Sequence, residues 1–408
     1  MNRPAKISDK TWWIGVNDRT TDLFEALWPL PNGISYNSYL LDDDKVAVID
    51  GVKSDFYPHY IENIKRIIGS GKTVDYMIVN HVEPDHSGAV EMMLQAFPDM
   101  TVVGNSKTIQ YLSQFYGDIP KSLEVKDGDT LDLGSHKLTF ALIPMVHWPE
   151  TMVTYDNNTG CLFSCDAFGS FGALDGGLFD DQLDLESYRG ETYRYFSNIV
   201  GKYSTFVEKA LAKIQDLGIE LTMVCPSHGP VYRKNPAYIV DFYRDMACQR
   251  TDPAALVVYG SMYGNTARLA EAVAKGLREG GLLDVVVRNS SKTETSELVR
   301  DAWRCRGLIL VGCSYNGGVF PKIAHFMGTL EGKKMANRFI GVCGSYTWSK
   351  GAAMKPMRVF ADQPCWTKVG PEIEVLSRPS ESDLDQGSEL GRNMAHMILS
   401  SNGCSSQS

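Results

Sequence analysis

The sequence predicts two α/β domains in succession: two sheets with helices packed outside, then a doubly wound parallel sheet of about five strands. Three observations predict this. The first part mixes short strands with helices and opens on hairpin chemistry. From Thr251 onward apolar strands and helices alternate strictly. Between them, the polar "QRTDP" near residues 250–253 marks a boundary, giving domains over 1–250 and 254–400 and a disordered tail over 401–408.

In order, "GISYNSYLLDDDKVAVIDG" (33–51) reads as strand, acidic turn and strand. "FYPHYIENIKRIIG" has helical spacing and stops at Gly69. "YMIVNH" is a buried strand. A helix ("AVEMMLQAF"), a strand ("TVVGN") and a helix ("KTIQYLSQF") follow. "KLTFALIPM" and "MVTYDNNTGCLFSC" are strands, with turn residues at Asn157–Gly160. Leu185 to Leu217 is mostly helical, and "LTMVCPSHG" is a strand running into a loop. In the second part, strands at "AALVVYG", "LDVVVRN", "GLILVGCSYNGG", "NRFIGVCGSYTWSKGA" and "KVGPEIEVLSRP" alternate with helices, the last in "ELGRNMAHMILS". No repeat of a solenoid is visible.

The 408 residues are 43% hydrophobic and 22% charged, the balance of a globular chain. A net charge of −9 without a basic run disfavours nucleic-acid binding. Nine cysteines, none in a CxxC, suggest a reducing compartment and no built-in iron–thiolate domain. No stretch approaches the ~18–20 apolar residues of a membrane span, and no apolar leader opens the chain, so the expected location is cytoplasmic.

"NHVEPDHSGA" (80–89) places His81, Glu83, Asp85 and His86 just past a buried strand. His147, Asp166 and His228 each follow another strand end, where sites in layered α/β proteins form. A single histidine past a strand is more often a turn residue than a ligand. Seven donors at strand ends are enough for two metal ions with a bridging carboxylate. The pattern resembles the metallo-β-lactamase-like fold, whose hydrolases carry H-x-H-x-D-H and bind zinc. Here Glu83 replaces the second histidine, and a carboxylate–imidazole mixture suits iron or manganese better than zinc.

In the second domain "YGSMYGNTARLA" runs from an apolar strand into a helix. Ser261, Met262, Tyr263, Gly264, Asn265 and Thr266 offer hydroxyls, an amide and a close backbone approach at a helix N-terminus, which suits a phosphate monoester. Neither G-x-G-x-x-G nor a P-loop lysine is present. Two later strand ends carry Ser314, Tyr315, Asn316, Gly317 and Gly318, and then Gly344, Ser345, Tyr346 and Trp348. Their aromatics can flank a flat ring. One such loop would be an ordinary glycine turn, but three at successive strand ends favour flavin mononucleotide (FMN). This region resembles flavodoxin.

Together, "SYNSYLL", "NHVEPDHSGA", "HWPETM", the aspartate of "CDAFG", "PSHGP" and "GSMYGNT" resemble the flavodiiron protein family in its minimal two-domain class of A-type flavoproteins. The resemblance implies one iron held by His81, Glu83 and His147, another by Asp85, His86 and His228, and Asp166 bridging. It implies a tyrosine beside the site, Tyr195, with Tyr193 the rival. The flavin loop departs from relatives at Thr347 and Lys350. The implied activity is reduction of dioxygen to water, nitric oxide to nitrous oxide, or both, with electrons passed through FMN. Trp28 and the prolines near it, where many relatives carry a histidine, lean this reading to dioxygen. The family pattern also implies a head-to-tail homodimer or a tetramer built from it, with Trp148 near the partner's flavin. The external donor would be rubredoxin, a flavin reductase or a reduced deazaflavin. The alternative is a dinuclear zinc metallohydrolase with an accessory flavodoxin-like domain.

Overall fold

The computed structural model describes residues 3–401. The chain divides into two compact units, residues 1–196 with 203–247, and residues 197–202 with 248–408.

The first unit is built on two sheets. The seven-stranded sheet runs in the order Ala5–Ser8, Thr11–Trp13, Tyr39–Asp42, Val46–Ile49, Tyr76–Ile78, Thr101–Gly104, Ser122–Glu124. The five-stranded sheet runs Thr130–Asp132, Lys137–Leu142, Met152–Asp156, Cys161–Cys165, Met223–Pro226. Alternating residues of both sheets meet in one core. Tyr39, Leu41, Ala47 and Ile49 come from the first sheet, and Leu138, Phe140, Cys161 and Phe163 from the second. A period of two sends one face of each strand into that core and the other towards helices or solvent. The helix Tyr57–Ile68 packs on the strand Tyr39–Asp42, and Ser106–Tyr116 packs on Thr101–Gly104. Asn105 caps the latter helix, its side chain accepting from Lys107 N and Thr108 N.

The strands before Ile34 were not expected from the sequence. They are only two to four residues long, too short to show a period. The stretch from Leu185 is helical but broken. Leu185–Tyr195 passes through a π turn at Phe196–Val200 and a 3-10 turn before Ser204–Asp216.

The second unit is a parallel sheet in the order Asp284–Asn289, Asp252–Gly260, Cys305–Tyr315, Arg338–Tyr346. Two short strands share the last position. Trp366–Lys368 pairs with the start of Arg338–Tyr346 and Ile373–Leu376 with its end. Pro371 lies between them and has no N–H to give a ladder, which splits the single strand expected there. On one face the helices Asn265–Glu279 and Glu381–Ser400 pack closely. A Cβ on Gly391 would lie 2.2 Å from Val273 O, so only glycine permits the approach. The last helix begins eight residues earlier than expected. Ser380 and Asp383 form a capping box at its start. Ser401 is held by Arg306, whose Nη1 donates to its carbonyl at 2.7 Å, while 402–408 lie outside the described residues. No helix among the described residues is long and apolar enough to cross a membrane.

Candidate metal and flavin sites

The strand Tyr76–Ile78 is pinned where it leaves the sheet. Buried Asp50 accepts from Asn80 N at 2.8 Å and from Asn80 Nδ2 at 3.1 Å, and Thr154 Oγ1 donates to Asn80 Oδ1 at 2.7 Å. This fixes the direction in which His81 leaves the strand. The motif then does not continue as a loop. Pro84 opens a one-turn helix, Pro84–Ser87, with Glu83 as its N-cap. That turn separates His81 and Glu83 from Asp85 and His86.

Two groups of donors result. His81, Glu83, His147 and Asp166 form one, and Asp85, His86 and His228 the other. His147 Nε2 lies 3.1 Å from Glu83 Oε2 and 3.0 Å from Asp166 Oδ2. On the other side, His86 Nε2 lies 2.8 Å and His228 Nε2 3.4 Å from Asp166 Oδ1, and His228 Nε2 is 3.3 Å from Asp85 Oδ2. Asp166 therefore turns one oxygen to each group.

Several of these atoms lie close without satisfying one another. His81 Nε2, Glu83 Oε2, both Asp85 oxygens, His86 Nε2, Asp166 Oδ1 and His228 Nε2 are buried with no hydrogen bond of proper geometry. Leaving so many buried polar atoms unsatisfied would cost about 1–3 kcal/mol each. They aim at common points, and bound cations would satisfy them together. The electrostatics agree. Burial would raise the Asp166 carboxyl, but His86, His147 and His228 hold it well below its ordinary range. Burial would lower the imidazoles, but Asp166 and Glu83 push His147 up to about 9, and Asp166 and Asp85 push His228 up to about 10. The donor set fits two divalent ions, and its carboxylate share suits iron. Cys165 also lies near His86 and Asp166, but burial pushes its thiol well above its ordinary value. A thiol that stays protonated is a poor ligand.

Tyr195 is fully buried beside this cluster. Its ring centroid is 5.5 Å from that of His228, and its hydroxyl has no hydrogen-bond partner. Gly169 makes room for it, since a Cβ there would come within 2.9 Å of the Tyr195 ring. Tyr193 packs instead on Phe242, at 4.9 Å between centroids. Trp148 meets the His81 ring edge-on at 5.1 Å and stacks on Phe115.

A cleft of about 520 Å³ opens beside Glu83 and Asp85, lined by Leu23, Phe24, Glu25, Tyr36 and Lys53 among others. Glu25 and Lys53 were not anticipated, because no motif marks them. Glu25 and Ala26 turn the hairpin with φ of 50° and 54°. Desolvation and the Glu83 charge push the Glu25 carboxyl up to about 7. Trp28 is buried and does not line the cleft.

In the second unit a cavity sits at the strand ends. Of the sequence-chosen residues, Ser261, Met262, Tyr263, Asn265, Thr266, Ser314, Ser345 and Tyr346 line it. Gly264, at φ 92°, turns the chain into the helix Asn265–Glu279. Thr266 Oγ1 and Ser345 Oγ are 3.0 Å apart, and Ser314 Oγ donates to Ser345 O at 2.9 Å, tying the three loops together. The structure does not bring the remaining choices to the cavity. Asn316, Gly317 and Gly318 form the turn of a hairpin in which Tyr315 pairs with Gly318, and Tyr315 is 44% exposed. Trp348 is 80% exposed. Gly344 faces the sheet's packing side, where a Cβ would meet Met354 at 2.7 Å. Lys350 is exposed and lines nothing here, whereas Thr347 does. Trp148 belongs to the first unit. Cys313 and Ser377 line the cavity without having been chosen. Ser377 follows the last strand and reaches the loop through Thr347, its hydroxyl donating at 3.1 Å.

Comparison with known proteins finds relatives for both domains. Residues 34–229 match the model described as ODP family beta lactamase, and residues 257–362 match Flavodoxin. A nitric oxide reductase of Moorella thermoacetica is 30% identical, covering 98% of this chain and 100% of that protein. An anaerobic nitric oxide reductase flavorubredoxin of Escherichia coli is 30% identical over 95% of this chain and 81% of its own. Among solved structures, rubredoxin oxygen:oxidoreductase of Desulfovibrio gigas superposes with a TM-score of 0.93 at 25% identity, over 98% of this chain and 100% of that one. A variant of a flavo-diiron protein from Thermotoga maritima gives 0.87 at 25%, over 97% and 98%. With both domains matched in one chain along nearly its whole length, this protein belongs to the flavodiiron protein family.

Proposed function

We propose that this chain is an oxidoreductase that reduces dioxygen to water, nitric oxide to nitrous oxide, or both. FMN and a non-haem diiron centre are the cofactors that its flavodoxin domain and its family imply. The observation that carries the reading is the buried cluster in which Asp166 turns one oxygen to each of two donor groups. His81, Glu83 and His147 would hold one iron, Asp85, His86 and His228 the other, and Asp166 both. Glu83 is the reason to prefer iron over the zinc of a hydrolase.

When bound, FMN passes electrons singly, and the pair of irons delivers them together to a small molecule. The chain's own residues would do the rest. The seven donors would hold the metals in a buried cluster, with Trp148 packed edge-on against the His81 ring. The Tyr195 hydroxyl, buried and without a partner, can donate a hydrogen bond to a small molecule bound beside His228. In the second unit the hydroxyls of Ser261 and Thr266 and the start of the helix Asn265–Glu279 would bind the flavin phosphate, and Tyr346 would lie against the ring. Reduction of dioxygen consumes four electrons and four protons per two waters. Reduction of two nitric oxides consumes two of each per nitrous oxide and water.

The donor is proposed to be a rubredoxin, a flavin reductase or a reduced deazaflavin. The assembly is proposed to be a head-to-tail homodimer or a tetramer, with Trp148 close to the partner's flavin. The relative that names rubredoxin and oxygen supports the first, and those that name nitric oxide support the second substrate. The test mixes the fully reduced, metal-loaded protein with each gas in turn. Rapid reoxidation with one or both is expected, and slow reoxidation with both would sink the reductase reading. Two zincs and no iron per chain would end the diiron reading outright. A steady-state comparison of the two gases with one donor ranks them.

A further inference from the structure

The four histidines of the cluster are not held alike. His81 Nδ1, on the ring side facing away from the other donors, lies 2.7 Å from Glu150 Oε1, and both side chains are fully buried. His228 Nδ1 instead donates to a neutral backbone carbonyl, Ser35 O, at 2.7 Å. His86 Nδ1 is buried with no hydrogen-bond partner. Of the four cluster histidines, His81 alone has a carboxylate paired with the ring nitrogen that faces away from the other donors.

Glu150 is itself fixed. Its Oε1 also accepts from Val82 N at 3.0 Å, and its backbone carbonyl accepts from Asn105 Nδ2 at 2.5 Å. Asn105 in turn caps the helix Ser106–Tyr116. The carboxylate therefore cannot swing away to water, and its other oxygen has no partner. A carboxylate accepting Nδ1–H fixes the tautomer that leaves Nε2 free to bind, and it adds negative character to the ring. A stronger donor favours the higher charge on whatever metal it binds.

We propose that Glu150 is a positioning residue that makes the two iron positions unequal. It aims His81 Nε2 at the position shared with Glu83 and His147 and gives that position the lower one-electron potential. The inference rests on the diiron reading above. In a mediator titration each iron exchanges one electron with the mediator, and no atom is transferred.

The experiment uses the full chain loaded with iron and FMN, with iron content, Mössbauer spectra and a redox titration of the mixed-valence signal. In the wild-type protein two separated steps are expected. Glu150→Gln keeps a hydrogen-bond acceptor but removes the charge. It is expected to hold two irons, to shift the lower potential upwards and to narrow the gap, so that less mixed-valence signal accumulates at midpoint. Two irons with an unchanged gap overturn the inference and leave the diiron reading intact. Wild-type protein that holds no iron overturns the diiron reading itself. If E150Q does not hold two irons, Glu150→Asp decides. Its carboxylate is one carbon short of His81 from the same backbone anchor, so a narrowed gap supports the proposal and a wild-type gap overturns it.

Discussion

Asp166 Oδ2 lies 3.0 Å from His147 Nε2, while the other oxygen of the same carboxylate is turned towards His86. No other carboxylate of the cluster contacts histidines of both donor groups in this way. Asp166→Ala is therefore expected to abolish the dinuclear centre, leaving about one iron per chain or none. Metal analysis of purified protein checks this, and retention of two irons would remove the bridging role.

Tyr195 presents a buried hydroxyl with no partner beside His228. Tyr195→Phe removes only that hydroxyl. Iron and flavin content should be unchanged, while reoxidation of the reduced protein by its preferred gas slows by roughly 100–1,000-fold, the range expected for a lost proton donor or hydrogen bond in the reaction. An unchanged rate in stopped flow would show that the tyrosine only fills space.

Thr266 sits at the start of the helix Asn265–Glu279 and bonds Ser345 across the flavin cavity. Thr266→Val keeps the shape and loses the hydroxyl. FMN should bind about tenfold more weakly, the effect of losing ~1.5 kcal/mol of hydrogen bonding to a charged group. Fluorescence titration of flavin-free protein measures it, and unaltered affinity would place the phosphate elsewhere.

Far from the metal cluster, His136 Nδ1 lies 2.8 Å from Asp156 Oδ2, and His136 N donates to Asp43, which also pairs with Lys10. The hydrogen bond to Asp156 raises the His136 pKa against the effect of burial, with Asp43 adding to the rise and Lys10 opposing it. The sign follows from linkage. A folded pKa above the unfolded value of about 6.5 gives stability that is complete below that pH and is lost as pH rises through the folded pKa. Urea unfolding of the metal-loaded first domain should therefore show a falling midpoint above pH 6.5 that His136→Gln flattens. Parallel pH curves for the two proteins would refute this.

Much of the site could be read before folding. Its seven donors stand just past strand ends, and strand ends are visible because buried strands are short apolar runs. That the second sheet is parallel and doubly wound was legible for the same reason, since strict alternation of strand and helix allows few topologies. The misses have equally specific causes. Glu25 and Lys53 carry no motif and enter the site only because the hairpin Leu23–Pro29 and the turn after Gly51 meet there. Gly344 stands in a glycine-rich loop sequence, yet its glycine serves the close packing of Met354. Ser377 joins the flavin cavity only because Pro371 splits the last strand position and its second half ends beside Thr347.

By itself, the sequence determined the two α/β domains, the chemical type of every donor and, through Glu83, the hardness of the metal site. Residue identity and period are local properties, and these conclusions need nothing more. The division of the donors was implied only by the resemblance, and the tertiary structure shows its geometry, with one oxygen of Asp166 turned to each group. Only the tertiary structure decided that Tyr195 rather than Tyr193 faces the cluster and that a carboxylate stands behind His81 but not behind His228. Those choices depend on the orientation of rings and carboxylates. Contacts between residues distant in sequence set that orientation, such as Asp50 with Asn80 and Asn105 with Glu150, and no local pattern encodes it.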